Sequence, residues 1–323
     1  MSILNSIFTP HMVLQANKPI RIFGEGKGNV TVSFLGKEKS VRANGAWLLE
    51  FDPIGYGGPY EIRVDHEGAT TFLNDVWVGD VFFLGGQSNM ALHLHETNFP
   101  VERYEGNEHV RLYTVDRTEP DAIRSADGWV ILTKENAKDF SAIGYHVANA
   151  LASKDRKVGL ISCCQGASVI QAWMSRELAA SPCYQVENKA AGHTKYPFNA
   201  EGFLFEYMTS KILPFSLHTV LWYQGESNAS VEEANIYLSM LKGLIDLWRR
   251  EFRDPTLPFL VVQIADYVDR YGEAWRTIQE AQLKAPEVIP YVKAVISRDV
   301  CETDDIHPPT KHILAERIVR ALQ

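Results

Sequence analysis

The sequence predicts an α/β protein with a doubly wound, five-stranded parallel sheet, preceded by a small N-terminal antiparallel β-sandwich. Two observations lead to this prediction. Up to about residue 75, short alternating runs are separated by turn residues, and no helical pattern occurs. From residue 76 onward, apolar strand-like runs alternate with longer segments of helical periodicity, which is typical of βαβ units. We therefore expect a sandwich domain over residues 1–75 and a second domain over residues 76–323.

The first predicted domain contains four candidate strands in which apolar or β-branched residues alternate with polar ones. They cover residues 19–23, 30–34, 47–51 and 60–64. Gly24, Gly26, Gly28 and the Asn44-Gly45 pair lie between them, and glycine and asparagine are common turn residues. We therefore expect short antiparallel strands joined by turns.

The second predicted domain contains five candidate strands and four candidate helices. The strands cover residues 81–84, 158–162, 219–223, 259–264 and 293–297. The helices, whose apolar residues recur at helical spacing, cover residues 141–153, 231–252, 273–285 and 308–322. In a doubly wound sheet the ligand site lies beyond the carboxyl ends of the strands, so we expect the functional residues at that edge.

Composition excludes several classes of protein. The 323 residues are 46% hydrophobic, carry a formal net charge of -8 and contain no Lys/Arg cluster, so we expect no nucleic-acid partner. No apolar run approaches the roughly 20 residues of a membrane span, so we expect no membrane association. The first residues lack a secretory signal, which predicts a cytoplasmic protein, or a periplasmic or secreted one if a signal was removed. Composition leaves the oligomeric state open.

The cysteines and histidines give no metal-binding pattern. Cys163, Cys164, Cys183 and Cys301 include no C-x-x-C pair, and we expect buried free thiols, although the redox state of the adjacent Cys163 and Cys164 stays open. His93, His95 and Glu96 lie close together in sequence, but no further ligand follows at a recognised spacing. We therefore expect neither a metal nor another cofactor.

Three loops at the predicted sheet edge carry polar groups suited to acyl transfer. Ser88 follows the first strand on a Gly85-Gly86 turn into a helix, where its hydroxyl is exposed and its own N–H can stabilise negative charge. The second strand leads to Gly166, a possible backbone donor. The third strand leads to the side-chain amides of Gln224 and Asn228. Together these groups predict a nucleophile with an oxyanion hole.

A histidine near the C-terminus completes the predicted site. His307 precedes the last helix and can act as a general base at neutral pH. Asp304 stands three residues before it, so that its carboxylate can fold back onto the imidazole across a turn. The neighbouring Asp305 is the runner-up for this role, and we otherwise expect it to cap the helix or brace the loop.

These blocks resemble the SGNH hydrolases, which have a flavodoxin-like fold, and among them the sialate O-acetylesterase group. The resemblance covers nearly the whole chain and rests on residues 11–15 (HMVLQ), 86–90 (GQSNM), 171–173 (QAW), 222–228 (WYQGESN) and 305–308 (DIHP). It implies that Ser88 is the nucleophile, that Gly166 supplies an oxyanion N–H, and that the third block supplies an amide. SGNH enzymes generally read Gly-x-Asn-Asp in that block, so Gln224 and Asn228 both remain candidates.

Three further residues are candidates for binding substrate. Gln87 precedes the predicted nucleophile. Trp173 follows the Gly166 loop, where its ring could stack on a sugar face. Arg298 lies at a strand end, and its guanidinium fork is suited to a sugar carboxylate.

The resemblance implies a serine O-acetylesterase that removes acetyl groups from sugar hydroxyls, most often those of O-acetylated sialic acid, through an acetyl-serine intermediate. An esterase for acetylxylan or another acetylated glycan is the alternative within enzymes. The rival of another class is a non-catalytic carbohydrate-binding protein, and hydrolysis of a chromogenic acetyl ester distinguishes the two. The sequence selects neither the sugar nor the hydroxyl.

Overall fold

The computed structural model describes residues 3–115, 128–270 and 272–323. Within them, an 11-stranded mixed sheet forms the centre of an α/β fold. Its strands are β1 (Val13–Gln15), β2 (Ile20–Phe34), β3 (Lys37–Phe51), β4 (Gly57–His66), β5 (Ala69–Gly86), β6 (Asn107–Thr114), β7 (Val130–Leu132), β8 (Val158–Cys164), β9 (Thr219–Tyr223), β10 (Phe259–Val262) and β11 (Val292–Val295).

The N-terminal strands form an antiparallel sheet in the order β3–β2–β4–β5, and β1 adds to β5 in parallel. A separate sandwich is not confirmed, because β5 continues into the second half of the sheet. The predicted turn glycines Gly24, Gly26 and Gly28 lie within β2, which pairs with β3 along its whole length. Gly24 is needed for close approach: a Cβ there would lie 2.0 Å from the carbonyl oxygen of Ile3.

The second half of the sheet is parallel, in the order β6–β8–β5–β9–β10–β11, with β7 antiparallel to β6. All five predicted segments form strands, but β6 is a sixth parallel strand, so the predicted count of five is wrong. The sequence pattern did not predict β6, because charged residues interrupt its apolar residues. Arg111, in its middle, is buried and forms an ion pair of 3.2 Å with Asp75.

The helices are α1 (Ser88–Ala91), α2 (Lys134–Ala137), α3 (Ala142–Leu151), α4 (Arg176–Ala179), α5 (Gly192–Lys195), α6 (Phe203–Tyr207), α7 (Val231–Glu251), α8 (Glu273–Val288) and α9 (Lys311–Leu322). The four long helices predicted from the sequence correspond to α3, α7, α8 and α9. Side chains cap two of them: Ser141 Oγ accepts the Gly144 N–H, and Ser230 Oγ accepts the Glu233 N–H. Helix α3 packs against α9, and α7 packs against α8.

The two predicted domains share one hydrophobic core. Phe8 lies 4.9 Å from Phe23 and 5.9 Å from Phe215 between ring centroids, so the core crosses the boundary expected at residue 75. Buried Arg21 donates to the carbonyl oxygens of Phe252 and Arg253 at 2.9 and 3.1 Å. The boundary itself falls inside β5. The N-terminal strands therefore support the strand that carries the site.

Two further expectations concern the thiols and the membrane. Cys163, Cys164 and Cys301 are buried free thiols, as predicted, whereas Cys183 is free but exposed. None of the helices that the structure describes has both the length and the apolar character needed to cross a bilayer.

Candidate active site

Ser88 lies on a tight turn at the carboxyl end of the central strand β5. Gly86 adopts a φ of +127°, and a Cβ there would lie 2.1 Å from the carbonyl oxygen of Tyr223 in the neighbouring strand, so the position requires glycine. The Gln87 N–H donates to the same oxygen at 2.9 Å and fixes the turn. Ser88 then begins α1 and remains partly exposed, and the first N–H groups of a helix have no partner within it.

His307 faces this serine from the loop before α9. The Ser88 Oγ and His307 Nε2 atoms are 2.8 Å apart, a distance suited to proton transfer. Burial lowers the pKa of His307, and the nearby cation of Lys311 lowers it further, while Asp305 and Glu96 oppose the shift. The imidazole is therefore neutral at neutral pH and can accept the serine proton.

The two candidate acids are placed differently around His307. The Asp305 Oδ1 accepts the backbone N–H of His307 at 2.8 Å, and the Asp305 charge raises the pKa of the imidazole. Asp304 is exposed, and no hydrogen bond or ion pair joins it to His307 within the described ranges. Of the two structural roles expected for Asp305, it therefore braces the loop, whereas the residue at the N-cap of α9 is Thr310.

The Gly166 loop lies beside the nucleophile. A Cβ built on Gly166 would lie 3.7 Å from the Ser88 Cβ, so this stretch of backbone contacts the serine. The following residue, Ala167, has a φ of +57°, which is uncommon for a residue with a side chain and occurs preferentially at functional sites. Gly166 and Ala167 both line the cleft in front of Ser88.

The amides of Gln224 and Asn228 are turned away from the nucleophile. Gln224 Nε2 donates to the Ser168 carbonyl oxygen at 3.0 Å and to Asn228 Oδ1 at 2.8 Å. Asn228 Nδ2 donates to Gln171 Oε1 at 2.8 Å and to Glu233 Oε1 at 3.1 Å. Each NH₂ group thus has both of its hydrogens engaged, and both side chains are completely buried. This corrects the expectation that one of these amides faces an oxyanion at Ser88.

Two of the three predicted substrate contacts also differ from the structure. Trp173 is fully buried, donates from Nε1 to Ser168 Oγ at 2.9 Å and packs edge-to-face on Trp222, so it is a core residue and not a sugar platform. Arg298 is paired with Asp266 at 2.8 Å and is not among the residues that line the cleft. Gln87 does line the cleft beside Ser88, so it stays a candidate.

The cleft at Ser88 has a volume of about 1150 Å³. One wall comes from residues 189–198. Arg270, which precedes α8, and Trp275, within α8, also line the cleft. Its cations are Lys189, Lys195 and Arg270. Lys189 is paired with Glu201, whereas Lys195 and Arg270 form no salt bridge with any residue that the structure describes. The cleft is thus large enough for a sugar, and its lining includes the carboxyl groups of Glu226 and Glu273 as well as these cations.

Sequence reasoning missed a buried polar group behind the serine, made of Asn89, Glu226 and Lys311. Asn89 Nδ2 donates to Glu226 Oε1 at 2.6 Å, and Lys311 Nζ donates to Asn89 Oδ1 at 2.7 Å. A signal for it was present. Lys311 stands in helical register with Leu314, Ala315 and Ile318, which form the buried face of α9, and a lysine at a core position indicates a buried charge.

One cluster has the composition of a metal site. The ligand atoms of His93, His95 and Glu96 lie within 4.8 Å of one another, and among the described residues this is the one such group found. Their atoms are partly engaged in the fold, since Glu96 Oε2 accepts the His93 backbone N–H at 2.7 Å and His95 Nδ1 contacts the Lys138 carbonyl oxygen at 2.8 Å.

A serine and a histidine in hydrogen-bond contact at the carboxyl edge of a parallel sheet are typical of a serine hydrolase of the SGNH-like class. Comparison with known proteins agrees with this class and narrows it. The family model described as "Carbohydrate esterase, sialic acid-specific acetylesterase" matches residues 78–322, so the chain belongs to that family.

Individual relatives are consistent with this assignment. The chain is 30% identical to a carbohydrate acetylesterase from Xanthomonas citri of known structure, with a TM-score of 0.86 over 98% of this chain and 74% of that chain. It is 26% identical over 358 residues to a sialate O-acetylesterase of Homo sapiens, covering 95% of this chain and 68% of the relative. The corresponding protein of Mus musculus is 25% identical over 385 residues, covering 95% and 70%. The chain is therefore an esterase that removes O-acetyl groups from carbohydrates.

Proposed function

We propose that the chain removes acetyl groups from the hydroxyls of O-acetylated sialic acid, with Ser88 as nucleophile and His307 as general base. The observation that carries this proposal is the 2.8 Å contact between Ser88 Oγ and His307 Nε2 at the floor of an open cleft. The curated relatives named sialate O-acetylesterase support the choice of sugar.

In the acylation step, Ser88 Oγ attacks the acetyl carbonyl carbon while His307 Nε2 takes the hydroxyl proton. The carbonyl oxygen becomes an oxyanion. We assign its stabilisation to the backbone N–H groups of Ser88 and Gly166, because Ser88 begins a helix and Gly166 belongs to the loop that contacts the serine. The sugar oxygen then leaves with the proton from His307.

Deacylation repeats these roles with water in place of the serine hydroxyl. His307 removes a proton from water, the hydroxide attacks the acetyl-serine, and Ser88 Oγ leaves as it regains a proton from His307. Acetate is released and the resting pair is restored.

The charge of the cleft supports a sialic acid substrate. A sialic acid carries a carboxylate, and Lys195 and Arg270 line the cleft without forming a salt bridge to any acidic residue that the structure describes, while Glu226 and Glu273 line it as well. We propose that they attract this carboxylate, a role that the sequence had suggested for Arg298.

The acid that orients His307 stays a prediction. The Asp-x-x-His spacing selects Asp304, whereas Asp305 is the acid in contact with the His307 backbone. We expect Asp304→Asn to lose at least a hundredfold in turnover at nearly unchanged stability, and Asp305→Asn to lose mainly stability, about 0.5–2 kcal/mol. If Asp305→Asn is instead the slower enzyme at equal stability, the two roles are exchanged.

The function is tested by acetate release from O-acetylated sialic acids and from acetylated xylan fragments, using wild type and Ser88→Ala. We expect wild type to prefer the sialic acids and the folded variant to lose roughly six orders of magnitude in rate. Activity of Ser88→Ala within tenfold of wild type would exclude this nucleophile. A preference for xylan fragments would favour the acetylxylan alternative, and no turnover of any acetyl ester would favour a binding protein.

A further inference from the structure

Lys311 is a fully buried cation four residues after the proposed general base. It begins α9 on the same face as Leu314 and Ile318, and its side chain points into the protein behind Ser88. Its Nζ lies 2.7 Å from Asn89 Oδ1 and 5.6 Å from the ring centroid of Tyr223. A buried ammonium is costly unless it is paired, so its retention in the core calls for a reason beyond packing.

Asn89 connects this cation to both halves of the catalytic pair. It follows Ser88 directly in α1, and its Nδ2 donates to the carbonyl oxygen of Ile306, the residue before His307, at 2.9 Å. The same Nδ2 donates to Glu226 Oε1 at 2.6 Å. One amide thus joins the nucleophile helix, the histidine loop and a buried carboxylate, and Lys311 holds its remaining oxygen.

The charges in this group influence one another and the base. Burial lowers the pKa of Lys311 to about 8, while Cys301, Glu226, Glu302 and Asp305 act in the opposite direction. Burial raises the pKa of Glu226, which the Lys311 charge and the Asn89 hydrogen bond partly offset.

Three charged groups influence the pKa of His307. Lys311 from α9 disfavours its protonation, whereas Asp305 from its own loop and Glu96 from residues 94–96 favour it. Burial is the largest cause of the lowered pKa of His307, and of these three charged groups Lys311 is the one that lowers it further.

Resting on the proposed function, we propose that Lys311 is a positioning residue for ester hydrolysis. Through Asn89 it holds the His307 loop against the nucleophile helix, and its positive charge adds to the effect of burial in disfavouring protonation of the base.

Lys311→Met tests this, because it keeps the length of the side chain and removes the charge. We expect the midpoint of the His307 titration, followed by NMR of the imidazole and assigned with His307→Gln, to rise by roughly half a unit or more. The acid limb of kcat/KM should move to higher pH in parallel. Plateau kcat should fall about ten- to a hundredfold with little change in KM, since the loop loses its anchor and not a substrate contact.

Two further variants separate positioning from stability. Lys284→Met removes an exposed lysine of α8 and should leave titration and kcat unchanged. Glu226→Gln/Lys311→Met removes both buried charges, so it should regain the melting temperature lost in Lys311→Met while its His307 midpoint stays raised. This double variant also serves if Lys311→Met alone fails to fold.

The proposal is overturned if the folded variant keeps the wild-type His307 midpoint, or if its plateau kcat equals that of wild type. The proposed function fails separately, through absence of acetate release by wild type. In that case the imidazole titration, which needs no substrate, still decides whether Lys311 controls His307.

Discussion

Asn228→Ala distinguishes a catalytic amide from a structural one. In the structure the Asn228 side chain makes four hydrogen bonds: its oxygen accepts from the Ile170 N–H at 2.9 Å and from Gln224 Nε2 at 2.8 Å, and its NH₂ group donates to Gln171 and Glu233. The substitution would leave two buried donors without an acceptor. At about 1–3 kcal/mol for each such group, the free energy of unfolding should fall by about 2–6 kcal/mol.

The expected effect on catalysis is small. Because both Asn228 amide hydrogens are engaged away from Ser88, the folded variant should keep kcat within about tenfold of wild type, whereas loss of an oxyanion donor typically costs about 10² to 10³. Urea unfolding gives the stability, and hydrolysis of a chromogenic acetyl ester well below the variant's melting temperature gives kcat. Asn149→Ala, on α3 and outside the cleft lining, is a matched control.

The opposite pattern would refute this reasoning. A variant with wild-type stability and a hundredfold lower kcat would mean that Asn228 turns toward the oxyanion in the substrate complex. The expectation drawn from the third sequence block would then be right.

Three other results are expected. The kcat/KM of wild type should fall as pH drops through the lowered pKa of His307, so the midpoint of a pH–rate profile should lie below the ordinary value of 6.5. A midpoint above 6.5 would contradict the burial of the imidazole. Gly86→Ala should lose about 2–6 kcal/mol in urea unfolding and most of its activity, because the new methyl meets the Tyr223 carbonyl oxygen. Arg270→Gln should raise KM for O-acetylated sialic acid but not for a neutral acetyl ester, and equal KM changes for both would exclude a carboxylate contact.

The parts of the fold that the sequence predicted are those that depend on local patterns. The long helices have clear apolar periodicity, and the serine residues that cap α3 and α7 stand at the expected positions. Strand β6 was missed because the ion pair of Arg111 with Asp75, which buries its charge, joins residues far apart in sequence. The glycines of β2 were misread because Gly24 is explained by the Ile3 backbone crossing it, and not by a turn.

The same distinction applies to the site. Ser88 was predicted from its glycine-rich turn after a strand, and His307 from its Asp-x-x-His spacing between the last strand and the last helix; the structure brings the pair together. Trp173 and Arg298 were assigned to the substrate from residue type and from their places after the Gly166 loop and at a strand end. Their partners, Ser168 and Asp266, are fixed by tertiary packing, which residue type does not reveal.

The buried amides of the third block support the cleft instead of lining it. Asn228 donates to Glu233 at the start of α7, and Glu233 in turn accepts the Ala190 N–H at 2.7 Å and contacts His193 Nε2 at 2.6 Å. Ala190 lines the wall formed by residues 189–198. The network therefore ties the substrate wall to the β9–α7 connection.

The catalytic pair depends on other elements. Ser88 follows β5 and His307 precedes α9. The hydrogen bond between Asn89 and Lys311 connects these two parts of the chain. Substitutions in the wall network should therefore change KM and stability more than the pH dependence of kcat, while substitutions behind the serine should do the reverse. We therefore expect one buried polar network to affect mainly substrate binding and the other mainly hydrolysis, although both lie at the same edge of the sheet.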